Sequence, residues 1–276
     1  MTLSRQEVRR LLADNGIRPS KARGQNFVVD ANTVRRIARL SGLGPGDRVL
    51  EIGAGVGSLT LALVETGATV TAVEIDRRLV TVLRDVVPEE VRVVEADAMQ
   101  ADWHALLGDE PSALVANLPY NIATPLVADL LDGVPNLTPM LVMVQREVGE
   151  RLAARPGDAA YGAVSVKVAH WATAEVVGRV PRAVFFPIPT VDSVLVRIVR
   201  REVPVIASEG ERAWFFRLVG AGFGQRRKML RRSLAGLVEV DAFDLAGVRP
   251  EARPEELDVS AWARLAACTR SGLPPS

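Results

Sequence analysis

Apolar positions in the first two-thirds of the chain fall into short continuous runs, and between them apolar and polar positions alternate at helical spacing. The run 49–53 ends in glycines and is followed by a helical pattern over 58–66. A β-branched stretch, 69–75, precedes a helical 77–87, and further strands are predicted at 91–95, 113–116 and 140–144. Helical patterns over about 124–132 and 146–155 lie among Pro and Gly residues. Strands alternating with helices of this length predict an α/β fold with a doubly wound parallel sheet. A later pair, 174–180 and 193–200, is expected to close that sheet as an antiparallel edge. After Arg201 only helical patterns remain, over about 211–223, 226–237 and 258–269. Two domains follow: 1–201, carrying the sheet, and 202–276, smaller and all-helical.

Composition narrows the function classes. With 48 % apolar and 24 % charged residues over 276 positions, the chain is neither a disordered tail, a collagen-like repeat nor a disulfide scaffold. Its single cysteine, Cys268, excludes an internal disulfide and a Cys-based metal site, and no metal is expected. The first residues lack the apolar run of a signal peptide. The longest charge-free stretch, 111–128, holds three prolines and two asparagines and suits no membrane span. A cytoplasmic protein without a membrane partner is expected. The net charge of +1 conceals a pattern: residues 1–40 hold nine Lys/Arg against three Asp/Glu, 41–140 five against fifteen, and 141–276 twenty against fifteen. An acidic centre between basic ends suits a small cationic ligand in the middle and an anionic partner at the flanks.

The first chemical signal is Glu51-Ile-Gly-Ala-Gly-Val-Gly57, with glycines where a strand should turn into a helix. Missing side chains let a ligand approach the backbone there, although such a turn also serves packing alone. The spacing of Gly53, Gly55 and Gly57 is not that of the G-x-G-x-x-G dinucleotide fingerprint. Glu74, twenty-one residues beyond Gly53, ends the second strand where a carboxylate can bind ribose hydroxyls. Asp97 follows the third strand, placed to reach an adenine amino group. Either acid alone reads as a solvated strand end. Together, beside the glycine turn, they point to an adenosine-containing cofactor, and the acidic surroundings fit a sulfonium better than a pyrophosphate. The second signal is Asn117-Leu-Pro-Tyr120 at the end of the fourth strand, on the edge where open α/β sheets bind ligands. The Asn117 side-chain oxygen and the Leu118 carbonyl can each accept a hydrogen from an exocyclic amino group. Pro119 fixes the turn, and Tyr120 offers a ring on which a base can stack.

These residues resemble the S-adenosylmethionine-dependent amino-methyltransferases. Over nearly its whole length the chain is similar to the ribosomal RNA adenine N6,N6-dimethyltransferases that act on the small subunit. Gly24-Gln-Asn-Phe27, Gln145-Arg-Glu-Val148 and Tyr161-Gly-Ala-Val-Ser-Val166 match further segments of that family. So do Phe185-Phe-Pro-Ile-Pro-Thr-Val-Asp-Ser193 and Gln225-Arg-Arg-Lys-Met-Leu-Arg-Arg-Ser-Leu234. Two positions depart from the pattern: Thr190, where lysine is usual, which puts one RNA contact in doubt, and Val28, where leucine is commoner.

The resemblance implies a Rossmann-like sheet with a helical C-terminal domain, and S-adenosylmethionine held by Asn26, Val28, Gly53, Glu74, Asp97 and Asn117. The reaction it implies is direct displacement of the sulfonium methyl by the adenine amino nitrogen, at a site made by Asn117, Leu118, Pro119 and Tyr120. Phe185 is expected to stack on the base opposite Tyr120; the alternative is core packing, and the adjacent Phe186 leaves the register open. His104 and His170 lie outside the motifs and read as surface or packing residues. Arg226, Arg227, Lys228, Arg231 and Arg232 are expected on one helix, with i, i+4 partners at 227/231 and 228/232, binding RNA phosphate. A solvent-facing charged helix would look the same. Lys21 and Arg23 are lesser candidates for phosphate contact. The partner implied is 16S rRNA within a small-subunit assembly intermediate, bound by a monomer. Two other readings share part of the pattern: a 23S rRNA methyltransferase of the antibiotic-resistance type, and a ribosome-assembly factor without turnover. The match through 161–193 and the C-terminal domain favours the small-subunit enzyme.

Overall fold

The computed structural model describes residues 2–20 and 24–269. Its strands are β1 (Phe27–Val28), β2 (Arg48–Ile52), β3 (Thr69–Glu74), β4 (Arg92–Glu95), β5 (Ser112–Asn117), β6 (Leu137–Gln145), β7 (Ala172–Val180), β8 (Phe185–Phe186) and β9 (Ser193–Arg200). The helices are α1 (Arg5–Asp14), α2 (Ala31–Ser41), α3 (Ser58–Val64), α4 (Arg77–Val86), α5 (Trp103–Leu107), α6 (Ala123–Gly133), α7 (Arg146–Ala153), α8 (Ala163–Trp171), α9 (Glu209–Gly224), α10 (Leu230–Ser233), α11 (Val240–Ala246) and α12 (Val259–Thr269).

Seven strands form one sheet in the order β4-β3-β2-β5-β6-β9-β7, and β1 pairs with β8 in a separate two-stranded ribbon. The pairs β2–β3, β2–β5, β3–β4 and β5–β6 are parallel, whereas β6–β9 is antiparallel. The predicted doubly wound sheet with an antiparallel edge is therefore present. Its central strands are apolar on both faces because helices cover both, which is why they read as continuous runs rather than alternating ones. Parallel pairing also brings the carboxyl ends of β2, β3, β4 and β5 to one edge, where ligand sites form in open α/β sheets.

Local signals set the helix starts. Ser4 and Glu7 make a capping box at α1, with Glu7 Oε2 accepting the Ser4 N–H at 2.7 Å. Asp30 caps α2 by accepting the Thr33 N–H at 2.7 Å, and Asp76 caps α4 by accepting that of Arg78 at 3.1 Å. On α1, Val8 and Leu12 are four residues apart and both are buried, in a cluster with Phe27, Val29, Val56 and Leu79. Each such side chain contributes about 1.5–3 kcal/mol on burial, so α1 is held to its unit by its apolar stripe.

The chain divides into two compact units, residues 1–149 with 175–199, and residues 150–174 with 200–276. The expected boundary at 201 is corrected for 150–174, which fold with the helical unit. The reason is packing: Tyr161 and Val166 are buried in a cluster with Phe215, Leu218, Phe243 and Trp262. The Tyr161 hydroxyl also donates to the Leu257 carbonyl at 2.9 Å. The single helix expected over 226–237 is likewise replaced. α9 runs to Gly224, residues 225–228 form a turn closed by Lys228 N–H on the Gln225 carbonyl at 2.8 Å, and only Leu230–Ser233 is helical.

Candidate active site

The glycine turn leaves β2 at Ile52 and delivers the chain to α3. Gly55 sits at φ 59°, and a Cβ there would lie 2.9 Å from the Phe27 ring, so an L side chain is excluded by both conformation and space. The Gly55 N–H donates to Glu74 Oε2 at 2.9 Å, while Ile75 and Asp76 donate to Oε1 at 2.9 and 3.0 Å. Three backbone bonds thus orient the Glu74 carboxylate at the end of β3. Burial nonetheless pushes its pKa up, the backbone donors opposing that shift.

Behind it lies Glu51, buried on β2, whose Oε2 accepts the Thr60 hydroxyl at 2.6 Å. Burial pushes this carboxyl up to about 8, against the Thr60 bond and with help from the negative charge of Glu74. Asp97, half-buried after β4, accepts the Met99 N–H at 2.9 Å and the Gln100 amide at 3.3 Å.

Asn117 ends β5. Its Nδ2 donates to the Asn26 carbonyl at 2.9 Å, which aims the amide and leaves Oδ1 buried with no partner among the described residues. The Leu118 N–H donates to Met143 O at 3.1 Å, fixing the peptide that carries the Leu118 carbonyl. The Pro119 carbonyl accepts the N–H groups of Ile122 and Ala123 at 3.2 and 3.1 Å, starting α6. Tyr120 is half-buried, and its hydroxyl lies 2.8 Å from Ser193 Oγ. Burial raises the Tyr120 pKa, with the Ser193 bond opposing, so the phenol stays neutral. The segment before β1 closes against this turn. Gly24 has φ 64°, and a Cβ there would lie 2.9 Å from Asn121 Oδ1 and 3.0 Å from the Tyr120 nitrogen.

All six residues expected to hold the cofactor, Asn26, Val28, Gly53, Glu74, Asp97 and Asn117, line one pocket at this edge. Its walls carry three carboxyl groups, with Glu51, and among the described residues no lysine or arginine. Ser58 Oγ and Asn117 Oδ1, both buried and without a partner among the described residues, also line it. Buried polar atoms without partners are costly. Two in one acidic pocket fit a ligand with cationic and hydrogen-bonding groups, as S-adenosylmethionine is.

Two expectations are corrected. Phe185 does not offer a face for stacking: it is 0 % exposed and packs in the core with Val28, Val180 and Leu195. Phe186 is half-buried instead, with the Arg9 guanidinium 5.1 Å from its ring centroid. In the second unit the five basic residues do not share a helix. Arg226 lies 3.7 Å from Glu255 and Arg231 3.3 Å from Glu251. Arg227, Lys228 and Arg232 are exposed and make no ion pair with the described residues. Lys21 and Arg23 lie outside the described residues. His104 is exposed, and His170 is enclosed by Trp171, Phe215 and Phe216.

Sequence reasoning assigned no role to Ser193 or Glu51, although both stood in recognised motifs. The second serine-bearing motif, Val191-Asp-Ser193, was the available signal for the first. Glu51 offered only its place in the glycine motif.

This architecture is that of the Rossmann-like methyltransferases that use S-adenosylmethionine. The crystal structure of the 23S rRNA methyltransferase ErmE matches with a TM-score of 0.69 at 30 % identity, over 88 % of this chain and 99 % of that one. A dimethyladenosine transferase from Plasmodium falciparum shares the fold with a TM-score of 0.75 at 24 % identity, over 87 % of this chain and 95 % of its own. The sequence model of the ribosomal RNA adenine dimethylase family matches residues 18–270, and the chain belongs to that family. Among its relatives, the ribosomal RNA small subunit methyltransferase A of Thermobifida fusca is 49 % identical, over 94 % of this chain and 93 % of that protein. Its namesake from Bifidobacterium longum (strain NCC 2705) is 46 % identical, over 96 % and 92 %. No helix among the described residues is long and apolar enough to cross a membrane.

Proposed function

We propose that this chain dimethylates N6 of two adjacent adenosines in the 3′-terminal hairpin of 16S rRNA, acting as a cytoplasmic monomer on a small-subunit assembly intermediate. The observation that carries the reading is the Asn117 amide: its Nδ2 is tied to Asn26 O, and its Oδ1 is buried on the pocket wall without a partner among the described residues. An acceptor so placed awaits a donor, and an adenine amino group is one.

When bound, S-adenosylmethionine supplies a methyl group activated by its sulfonium. The residues of the chain do the rest. Glu74 and Asp97 hold the adenosine part of the cofactor, and the acidic pocket favours its positive end. An adenine amino nitrogen is a weak nucleophile because its lone pair is delocalised into the ring. Hydrogen bonds from its two N–H groups to Asn117 Oδ1 and the Leu118 carbonyl favour a pyramidal nitrogen whose lone pair is available. Those bonds strengthen as the nitrogen turns tetrahedral, so they act on the transition state more than on the ground state. Tyr120, anchored by Ser193, covers one face of the base; stacking contributes about 1–3 kcal/mol, comparable to the few kcal/mol that extrusion from the RNA costs. With so good a leaving group, alignment matters more than a strong base. Of the five basic residues expected to bind RNA, Arg227, Lys228 and Arg232 make no ion pair with the described residues and are available for phosphate.

The test is transfer of a labelled methyl group to unmethylated small subunits, with large-subunit RNA in parallel and the product mapped by nuclease digestion and mass spectrometry. Two adjacent dimethyladenosines in the small-subunit hairpin are expected. Label in 23S RNA alone would replace this reading by the resistance-type activity, and binding without label would leave an assembly factor.

A further inference from the structure

Helix α1 presents Arg5 and Arg9 four residues apart on one face, while Val8 and Leu12 bury its apolar stripe. The Arg5 Nη2 donates to the Ala183 carbonyl, and the Arg9 guanidinium rests over the Phe186 ring at 5.1 Å. The Arg182 side chain donates through Nη1 to the Thr190 carbonyl at 3.3 Å, and its backbone N–H donates to Asp192 Oδ1 at 2.9 Å. Two guanidinium groups therefore rest on Ala183 and Phe186, and a third, that of Arg182, reaches along the same segment to Thr190. All three side chains are exposed, and none makes an ion pair with a carboxylate among the described residues. The acids nearest in sequence are otherwise engaged: Glu7 accepts the Ser4 N–H in the cap of α1, and Asp192 the Arg182 N–H.

Exposed guanidinium groups gathered along one segment, and in no direct ion pair with a described residue, make a positive surface that suits an anion. Each guanidinium is held by a carbonyl or a ring that uses only part of its donor set, leaving N–H edges for bidentate contact with a phosphate. The position of the cluster identifies that anion. Register in the β1–β8 ribbon pairs Phe27 with Phe186 and Val28 with Phe185, directly after Asn26, whose carbonyl orients Asn117. At its other end the same segment leads through Asp192 to Ser193, which anchors Tyr120. The cluster thus borders the base site along both chain paths. In the loop between them, Ile188 and Val191 are exposed apolar residues at 61 % and 39 %, available to sugar and base surfaces. Thr190 brings no cation to this loop; Arg182, bonded to its carbonyl, does.

We propose that Arg5, Arg9 and Arg182 grip the backbone phosphates of the RNA strand flanking the target adenosine. The proposal rests on the reading of Asn117–Tyr120 as an RNA-adenine site. It is separate from the basic residues of the helical unit. Phosphate contacts fix register and orientation without reading sequence, and that is what an enzyme needs to present one extruded base to a fixed acceptor pair.

The test uses the full chain and an RNA hairpin with the 3′-terminal small-subunit sequence, with binding measured over a series of salt concentrations. Each phosphate contact contributes roughly 0.7–0.9 to the slope of log affinity against log salt. The triple variant Arg5→Gln, Arg9→Gln, Arg182→Gln is expected to lose about 2 from that slope. Its S-adenosylmethionine affinity, measured by calorimetry without RNA, is expected to stay within twofold or so of the parent. The corresponding triple lysine variant keeps the charge while losing the fork geometry, and is expected to recover most of the slope. Arg182→Gln alone, at an exposed position, gives the same readout if the triple variant folds poorly. An unchanged slope overturns the proposal, and so does a lysine variant that loses as much as the glutamine one, since that marks a merely structural role. Failure of the parent protein to methylate small subunits while it retains salt-dependent RNA binding would instead strike the functional reading and leave the cluster standing.

Discussion

Replacing Glu51 by glutamine should change how stability depends on pH, and the size of the effect follows from the site. Glu51 is buried beneath the cofactor pocket, with the Thr60 hydroxyl on Oε2 and Glu74 as the charged group that faces it. Burial pushes its carboxyl up to about 8 from 4.5. Between those values the folded chain keeps a proton that the unfolded chain has released. Folding is therefore favoured at lower pH: the contribution is complete below 4.5 and is lost as pH rises through about 8. One retained proton corresponds to about 1.4 kcal/mol per pH unit, so between about pH 6 and pH 8 the parent should lose about 2 kcal/mol on this account. Glutamine mimics the neutral acid and can still accept from Thr60. The stability advantage of Glu51→Gln over the parent should therefore grow by about 2 kcal/mol between about pH 6 and pH 8. Urea denaturation of both proteins without cofactor, followed by circular dichroism across this range, isolates the difference from other titrating groups. Parallel stability curves would refute the reasoning, because they would mean that Glu51 is ionised in the folded chain throughout.

Further outcomes follow from the same geometry. Asn117→Ala removes the acceptor on the pocket wall; turnover in the subunit assay should fall by roughly 10²–10³, the usual loss for one preorganised transition-state hydrogen bond, with thermal stability retained. Ser193→Ala deletes the anchor of the Tyr120 hydroxyl, and with a bond worth about 1 kcal/mol the KM for RNA should rise several-fold while cofactor affinity by calorimetry stays unchanged. In the helical unit, Arg227→Gln, Lys228→Gln and Arg232→Gln together should lower the salt slope of RNA binding by about 2. Arg226→Gln, by contrast, breaks the contacts with Glu255 and the Ala159 carbonyl, and should lower the melting temperature with a smaller change in slope.

Much of the catalytic unit is legible in the pattern of apolar positions. The strands predicted at 69–75 and 193–200 are β3 and β9 within a residue at each end, and helix 77–87 is α4 with one residue fewer. Central parallel strands are covered on both faces and so must be apolar throughout, which leaves an unmistakable run. The fourth-strand motif was also readable, because Asn117-Leu-Pro-Tyr120 is contiguous and sits at a strand end.

Other features depend on partners far along the chain. Two adjacent phenylalanines cannot reveal from sequence which one faces the core; the β1–β8 register decided that Phe185 is buried beside Val28. A run of arginines repeating at four residues fits a helix equally well whether or not one forms. Here Gly224 ends α9 and the turn at 225–228 disperses the charges, two of which are neutralised by Glu251 and Glu255. Residues 150–174 run into the start of β7 yet belong to the helical unit, because Tyr161 and Val166 find their apolar surroundings there.

By itself, the sequence determined the order of strands and helices, the glycine turn, the acids at the strand ends and the Asn117–Tyr120 turn, since each is written in neighbouring residues and obeys local periodicity or turn chemistry. Only the tertiary structure decided that Asn26 orients Asn117 across 91 positions, that Ser193 anchors Tyr120 across 73, and that Arg5 and Arg9 reach Ala183 and Phe186. Hydrogen bonds and packing act over a few ångströms of space, and no local pattern records which distant residue will fill that space.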